Sequence, residues 1–255
     1  MPSKHHTDDV YKNKKRVRKN NIKFKVSLNE EQKIAKDCIL ENAITSIQGR
    51  AGSGKTFLAV QVALDMFFKK EVDKIIVTRP AVSDESLGFL PGDIKEKMDP
   101  WLAPIYHNLY MLYGKEKIDK HLEAEDIEIV PLAFVRGRTF VDSFIVVDEA
   151  QNVTHTQMEA LLGRLGKGSK MAICGDKAQV DLRNKRDSGF EFLSTLGDLK
   201  GFGNVELLKN HRHSIVKDLL VRYEEKRELK VVKKSDSTTY EFPLTKNWWG
   251  GYQAF

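Results

Sequence analysis

The sequence predicts an α/β fold, a mostly parallel sheet covered by helices on both faces. Three observations carry this expectation. A glycine loop, Gly49-Arg50-Ala51-Gly52-Ser53-Gly54-Lys55-Thr56, lies between an apolar run at 43–47 and an apolar helical pattern that starts at Phe57. Short β-branched runs recur downstream with helix-period segments between them, as strands buried on both faces do. Two of these runs end in carboxylates or amides, at the strand ends where α/β folds bind ligands.

The elements follow in order. Residues 1–25 are polar and without periodicity, which predicts a disordered arm. The globular domain is expected over 26–230, with a C-terminal tail over 231–255. It opens at Asn29, a suitable N-cap for a helix whose first turn is acidic and whose apolar positions run from Ile34 to Leu40. Residues 57–68 are apolar on almost every side, as in a helix packed against a sheet. Lys74-Ile75-Ile76-Val77-Thr78-Arg79 reads as a buried strand ending at Pro80. The segment 80–126 carries four prolines and several helix-like pieces. Its aromatic run, Trp101 to Tyr113, reads as a packing surface, with a base-stacking platform as the alternative. Strands are predicted at 127–130, 143–148, 170–174 and 205–208. Thr154 and Gln157 form a capping box for a helix ending near Gly166 or Gly168. A last helix is predicted from Ser214 to about Arg227.

Composition bounds the function classes. No apolar run approaches the roughly 18 residues of a membrane span, and no signal-peptide core is visible. A cytoplasmic protein with no membrane partner is expected. Cys38 and Cys174 are far apart in apolar patterns, so two reduced core cysteines are expected rather than a disulfide framework. The net charge of +6 is uneven. Residues 1–25 hold nine Lys or Arg against Asp8 and Asp9, a local +7, so the remainder sums to −1. Such an arm suits phosphate contact or simple solvation, and the residues leave both readings open.

The glycine loop carries the strongest chemistry. Its glycines let successive N–H groups of Gly49, Arg50, Ala51, Gly52, Ser53 and Gly54 curl around phosphates, in front of the positive end of the next helix. Lys55 can reach the β- and γ-phosphates, and the Thr56 hydroxyl can ligate Mg²⁺. Phe144-Ile145-Val146-Val147-Asp148-Glu149-Ala150-Gln151 then delivers two carboxylates at a strand end. Asp148 suits Mg²⁺ beside Thr56, and Glu149 suits the base that polarises the attacking water. A solvated acidic strand end is the alternative. In Gly175-Asp176-Lys177-Ala178-Gln179, Gln179 suits a γ-phosphate sensor, with loop capping by Asp176 and Gln179 as the alternative. The Gln32 amide could pair with the N6 and N7 edge of adenine; a surface glutamine is the plainer reading.

Taken in order, Asn29-x-x-Gln32, the glycine loop, Asp-Glu-Ala-Gln at 148–151 and Gly-Asp-x-x-Gln at 175–179 resemble the first motor domain of superfamily-one helicases. The sequence is still more similar to the PhoH-like ATPases. The matching segments are Val77 to Asp93, Glu96 to Pro104, Arg136 to Thr139, Asp148 to Asn152 and Gly168 to Leu182, within about residues 27–228. The resemblance implies a RecA-like P-loop core that hydrolyses ATP, with RNA or single-stranded DNA as the track. The basic arm and the aromatic end at 240–255 lie outside the pattern and suggest a compact variant of the kind a phage encodes.

Superfamily-one helicases complete their site with arginines from a second motor domain. Too few residues follow Arg212 for one, so a homo-oligomer is expected in which a neighbouring copy completes the site. The resemblance suggests a hexameric ring. Arg79, Arg136, Arg138 and Arg212 are the candidate arginines, Arg212 first among them because it follows the last strand. His211 and His213 lack cysteine or acidic partners at zinc-ligand spacing. Competing readings are a nucleotide-dependent switch or scaffold with a protein partner and little turnover, and a small-molecule kinase, against which the 148–151 and 175–179 pair argues.

Overall fold

The computed structural model describes residues 24, 26–80 and 94–235, with the side chains of 94–101, 224–225 and 227–235 left aside. The basic arm except Phe24, the segment 81–93 and the tail beyond 235 lie outside the described residues, as do the motifs expected there.

The chain alternates helices and strands. In order they are α1 (Glu30–Glu41), β1 (Ile44–Gly49), α2 (Lys55–Phe68), β2 (Lys74–Arg79), α3 (Ile94–Tyr113), α4 (Lys115–Glu123), β3 (Ile127–Pro131), β4 (Ser143–Val147), α5 (His155–Leu162), β5 (Lys170–Gly175), α6 (Phe190–Leu193), β6 (Phe202–Leu207) and α7 (Ser214–Ser235). All six strands pair in parallel in the order β3-β2-β4-β5-β1-β6. The described residues fall into two compact units, one ending at His211 and one beginning at Arg212. The second contains α7, eight residues longer than the periodicity alone suggests.

Strand alternation explains the two-sided core. Successive residues of a strand face opposite sides of the sheet. Ile75 and Val77, Phe144 and Val146, and Ala172 and Cys174 join one core with α1, α2 and α3. Ile76, Ile145 and Val147, and Met171 and Ile173 join the other with α5 and α6. Fully burying one such side chain is worth about 1.5–3 kcal/mol, so the register is set from both faces.

Four local expectations meet refinements. Helix α3 runs through Pro104 where the prolines suggested separate pieces, because Leu102, Ile105, Leu109 and Leu112 form one buried stripe while Pro104 is exposed. Tyr106, Tyr110 and Tyr113 pack against the core, so they are packing residues. Helix α5 stops at Leu162, with Gly163 as its C-cap. Gly166 is used instead to pass against Phe140, whose carbonyl accepts from its N–H at 2.7 Å. Strand β6 begins three residues earlier than its apolar pattern, since pairing with β1 starts at Phe202 opposite Ile44. Cys38 and Cys174 are both free thiols. Burial, followed by the Asp148 charge, pushes the Cys174 thiol well above its ordinary range.

Asp65 links α1 to α2 and gives a pH prediction. Its carboxylate accepts from Lys69 at 2.9 Å and Lys36 at 3.0 Å. Burial pushes the carboxyl up, but the two lysines outweigh it and hold it below the ordinary value. The resulting stabilisation is fully present above the ordinary carboxylate pKa and is lost as pH falls through the lowered folded-state pKa. Asp65→Asn is therefore expected to cost about 2 kcal/mol near neutral pH. Denaturant melts at pH 7 and pH 3 should show the difference from wild type shrinking in acid.

Candidate functional site

Because every strand runs the same way, the C-terminal ends of β1, β5 and β4 lie side by side on one edge. The glycine loop leaves β1, Asp176 follows β5, and Asp148 and Glu149 follow β4. Topology alone thus brings together three segments that are far apart in sequence.

The loop is built for close backbone approach. Gly54 adopts φ 84°, a left-handed conformation costly for other residues, and a Cβ there would sit 2.9 Å from Gln32 Nε2. At Gly49 a Cβ would lie 2.6 Å from the Leu207 carbonyl. Gly54 caps α2 without a side-chain hydrogen bond, so the first-turn N–H groups of α2 are left for an anion. Ser53 Oγ is buried with no hydrogen-bond partner. Lys55 Nζ donates to the carbonyls of Gly49 at 2.5 Å and Arg50 at 3.2 Å. These donors fit the phosphates of a nucleotide.

Thr56 Oγ1 donates to Asp148 Oδ1 at 2.5 Å. Asp148 is buried, and burial first, then the neighbouring Glu149 charge, push its carboxyl up against the opposing Thr56 hydrogen bond. A hydroxyl and a buried carboxylate are hard oxygen donors and fit Mg²⁺. Burying a carboxylate beside a second carboxylate costs stability. Asp148→Asn is expected to raise Tm by about 2–4 °C in the absence of divalent cations, as about 1 kcal/mol does in a chain of this size. Calorimetry should also show Mg²⁺ with ATP stabilising wild type but not the variant.

Glu149 sits at φ 51°, ψ 39°, a left-handed conformation that costs a non-glycine residue about 1–3 kcal/mol. Its Oε2 accepts from Gln151 Nε2 at 2.6 Å, and Arg79 Nη2 stands 3.5 Å from Oε1. Gln179 ends a short 3₁₀ turn after β5, exposed, with its carbonyl accepting from Gln151 Nε2 at 3.2 Å. The sequence-predicted base and sensor are thus joined by a residue to which sequence reasoning assigned no role. For Asp176 the sequence predicts only a loop cap. It does accept from Ala178 N at 3.0 Å, but its Oδ2 also accepts from Ala51 N in the glycine loop at 2.8 Å. The signal available in the sequence was the unusual run of three carboxyl and amide side chains at 148–151.

Gln32 is buried and is the third helical residue of a capping box. Its Oε1 accepts from Asn29 N at 3.1 Å, while Nε2 faces Gly54. With the carbonyl oxygen engaged in the cap, the amide nitrogen is the end closest to the loop. His211 closes the same corner: its N–H donates to the Gly52 carbonyl at 2.9 Å, and its Nε2 pairs with Asn29 Nδ2 at 3.1 Å. Among the candidate arginines, Arg79 approaches Glu149 within its own chain. Arg138 makes two bonds to Glu128, at 2.8 and 3.0 Å. Arg136 is exposed after β3, and Arg212 belongs to the second unit.

The family model described as PhoH-like protein matches residues 25–224. A PhoH-like protein of Synechocystis sp. is 44% identical over 190 residues, covering 73% of this chain and 58% of that relative. One from Bacillus subtilis is 45% identical over 174 residues, covering 68% and 54%. The chain thus spans little more than half the length of these relatives. Among solved structures, the Sulfolobus solfataricus SWI2/SNF2 ATPase core in complex with dsDNA aligns with a TM-score of 0.42 at 17% identity, over 75% of this chain and 47% of that one.

Proposed function

This chain belongs to the PhoH-like family, and from that premise we propose that it is a Mg²⁺-dependent ATPase that works on RNA or single-stranded DNA. The observation that carries the ATPase reading is the Thr56–Asp148 contact at 2.5 Å. It sets a hydroxyl and a carboxylate directly behind the glycine loop, with Glu149 next in the chain. When bound there, Mg²⁺ supplies charge neutralisation for the phosphates. The chain's own residues do the rest. The α2 N-terminus and Lys55 hold the phosphates, Glu149 takes the proton from the attacking water, and Gln179, whose carbonyl accepts from Gln151, reports phosphate loss. Phosphate release with and without polynucleotide tests this reading. Stimulation is expected; a rate that no polynucleotide alters would sink the motor half and keep the ATPase.

The nucleic-acid half is supported by charge. The sequence of the arm is strongly basic, and Lys177, Arg183, Lys185 and Arg186 are exposed around the loop after β5. Removing residues 1–25 should weaken polynucleotide binding and flatten its salt dependence, because each phosphate contact releases condensed counterions. Filter binding from 50 to 200 mM salt measures this; an unchanged slope would make the arm a passive tail.

The homo-oligomer, a hexameric ring in this reading, rests on the resemblance, with Arg212 as the arginine supplied across the subunit boundary. Mixing Lys55→Ala with Arg212→Ala chains is expected to restore activity that neither has alone. A fully active monomer by light scattering would contradict it. A switch or scaffold with little turnover is the second reading, favoured by the engagement of both Glu149 oxygens. Stoichiometric ATP binding without phosphate release would identify it.

A further inference from the structure

Gln151 is 1% exposed, yet its one amide makes three hydrogen bonds, one within its own turn and two to the turn after β5. Its Nε2 donates to Glu149 Oε2 at 2.6 Å and to the Gln179 carbonyl at 3.2 Å. Its Oε1 accepts from Asp176 N at 3.0 Å. Asp176, itself 6% exposed, accepts from Ala51 N with Oδ2 and from Ala178 N with Oδ1. An unbroken hydrogen-bonded chain therefore runs from the phosphate loop through Asp176 and Gln151 to the Glu149 carboxylate. The backbone at Glu149 is left-handed, and such a conformation persists only where its surroundings over-determine it. Among the described residues, Gln151 supplies one of two restraints on that carboxylate, the other being Arg79 at 3.5 Å.

We propose that Gln151 is a positioning residue that aims the Glu149 carboxylate and ties its placement, through Asp176, to the state of the phosphate loop. The inference rests on the reading of Glu149 as the general base. No other side-chain type of this size does the same work. A buried amide offers two donor hydrogens and an acceptor at once. Glutamate at this position would keep an acceptor for Asp176 N but would lose both donated bonds and set a like charge against Glu149. Methionine would keep the volume and lose every bond.

The test uses the full chain with Gln151→Met, Gln151→Glu and Glu149→Gln measured beside wild type. ATP affinity comes from a fluorescent-nucleotide titration, kcat from phosphate release, and folding from thermal melts. For Gln151→Met, kcat is expected to fall about tenfold or more, and for Gln151→Glu further, with ATP affinity within about threefold of wild type, because a misaimed base costs rate and not binding. Turnover of Gln151→Met within twofold of wild type, beside an inert Glu149→Gln, would overturn this inference alone. Equal losses in affinity and kcat would overturn it as well. Undiminished turnover by Glu149→Gln would instead remove the base reading on which it stands. Hydrogen exchange on wild type decides the relay even where a variant fails to fold. Binding of a non-hydrolysable ATP analogue should slow exchange in 149–153 as well as in 50–56; protection confined to 50–56 would refute the relay.

Discussion

Glu149→Gln is expected to lower kcat for ATP hydrolysis by about 10²–10⁴-fold, the usual contribution of a positioned general base, while ATP still binds. The carboxylate follows directly after Asp148 and lies beside the Gln151 amide, so an amide in its place keeps the volume and removes the basic oxygen. Affinity should hold because the groups that meet phosphate, Lys55 and the first turn of α2, are untouched. The check is a single-turnover assay with radiolabelled ATP, in which the variant should retain intact nucleotide. Hydrolysis at the wild-type rate would refute the assignment.

Lys55→Ala should act at the other end of the same site, on binding. Lys55 Nζ lies within hydrogen-bond reach of the loop carbonyls of Gly49 and Arg50, so its ammonium is already held at the cradle. A hydrogen bond to a charged group contributes about 1.5–3 kcal/mol, which makes the expected loss about 10- to 150-fold in ATP affinity. The fold should survive, because no hydrophobic core contact depends on the ammonium. Equilibrium dialysis with ATP measures the loss, and unchanged affinity would place the nucleotide elsewhere.

The parts of this site that were legible in the sequence are those where chemistry restricts residue type. A loop that must approach phosphate needs glycine at positions such as Gly54, and a strand buried on both faces needs an unbroken apolar run before Asp148. The N-cap at Asn29 and the capping box of Thr154 with Gln157 were legible because capping is local, whereas the closing of a second box by Gln32 on Asn29 emerges only in the fold. What could not be read is set by contacts distant in sequence. Gln151 meets Asp176 and Gln179 only once β4 and β5 lie side by side. Gln32 is committed to its helix cap before any ligand is considered. The pairing of Phe202 with Ile44 extends β6 across Gly203 and Asn204, residues whose own preference is for turns. Pro104 is accommodated because the buried stripe of α3 lies on another face.

The central claim is that Lys55, Thr56, Asp148 and Glu149 form one hydrolytic site. Its most direct test is steady-state phosphate release from ATP by the purified full chain, with Mg²⁺ or with EDTA, beside identically purified Lys55→Ala. Release that requires Mg²⁺ and falls at least tenfold in Lys55→Ala at ATP below the wild-type KM is the expected result. Release that is absent from wild type, or equal in the two chains, would contradict it.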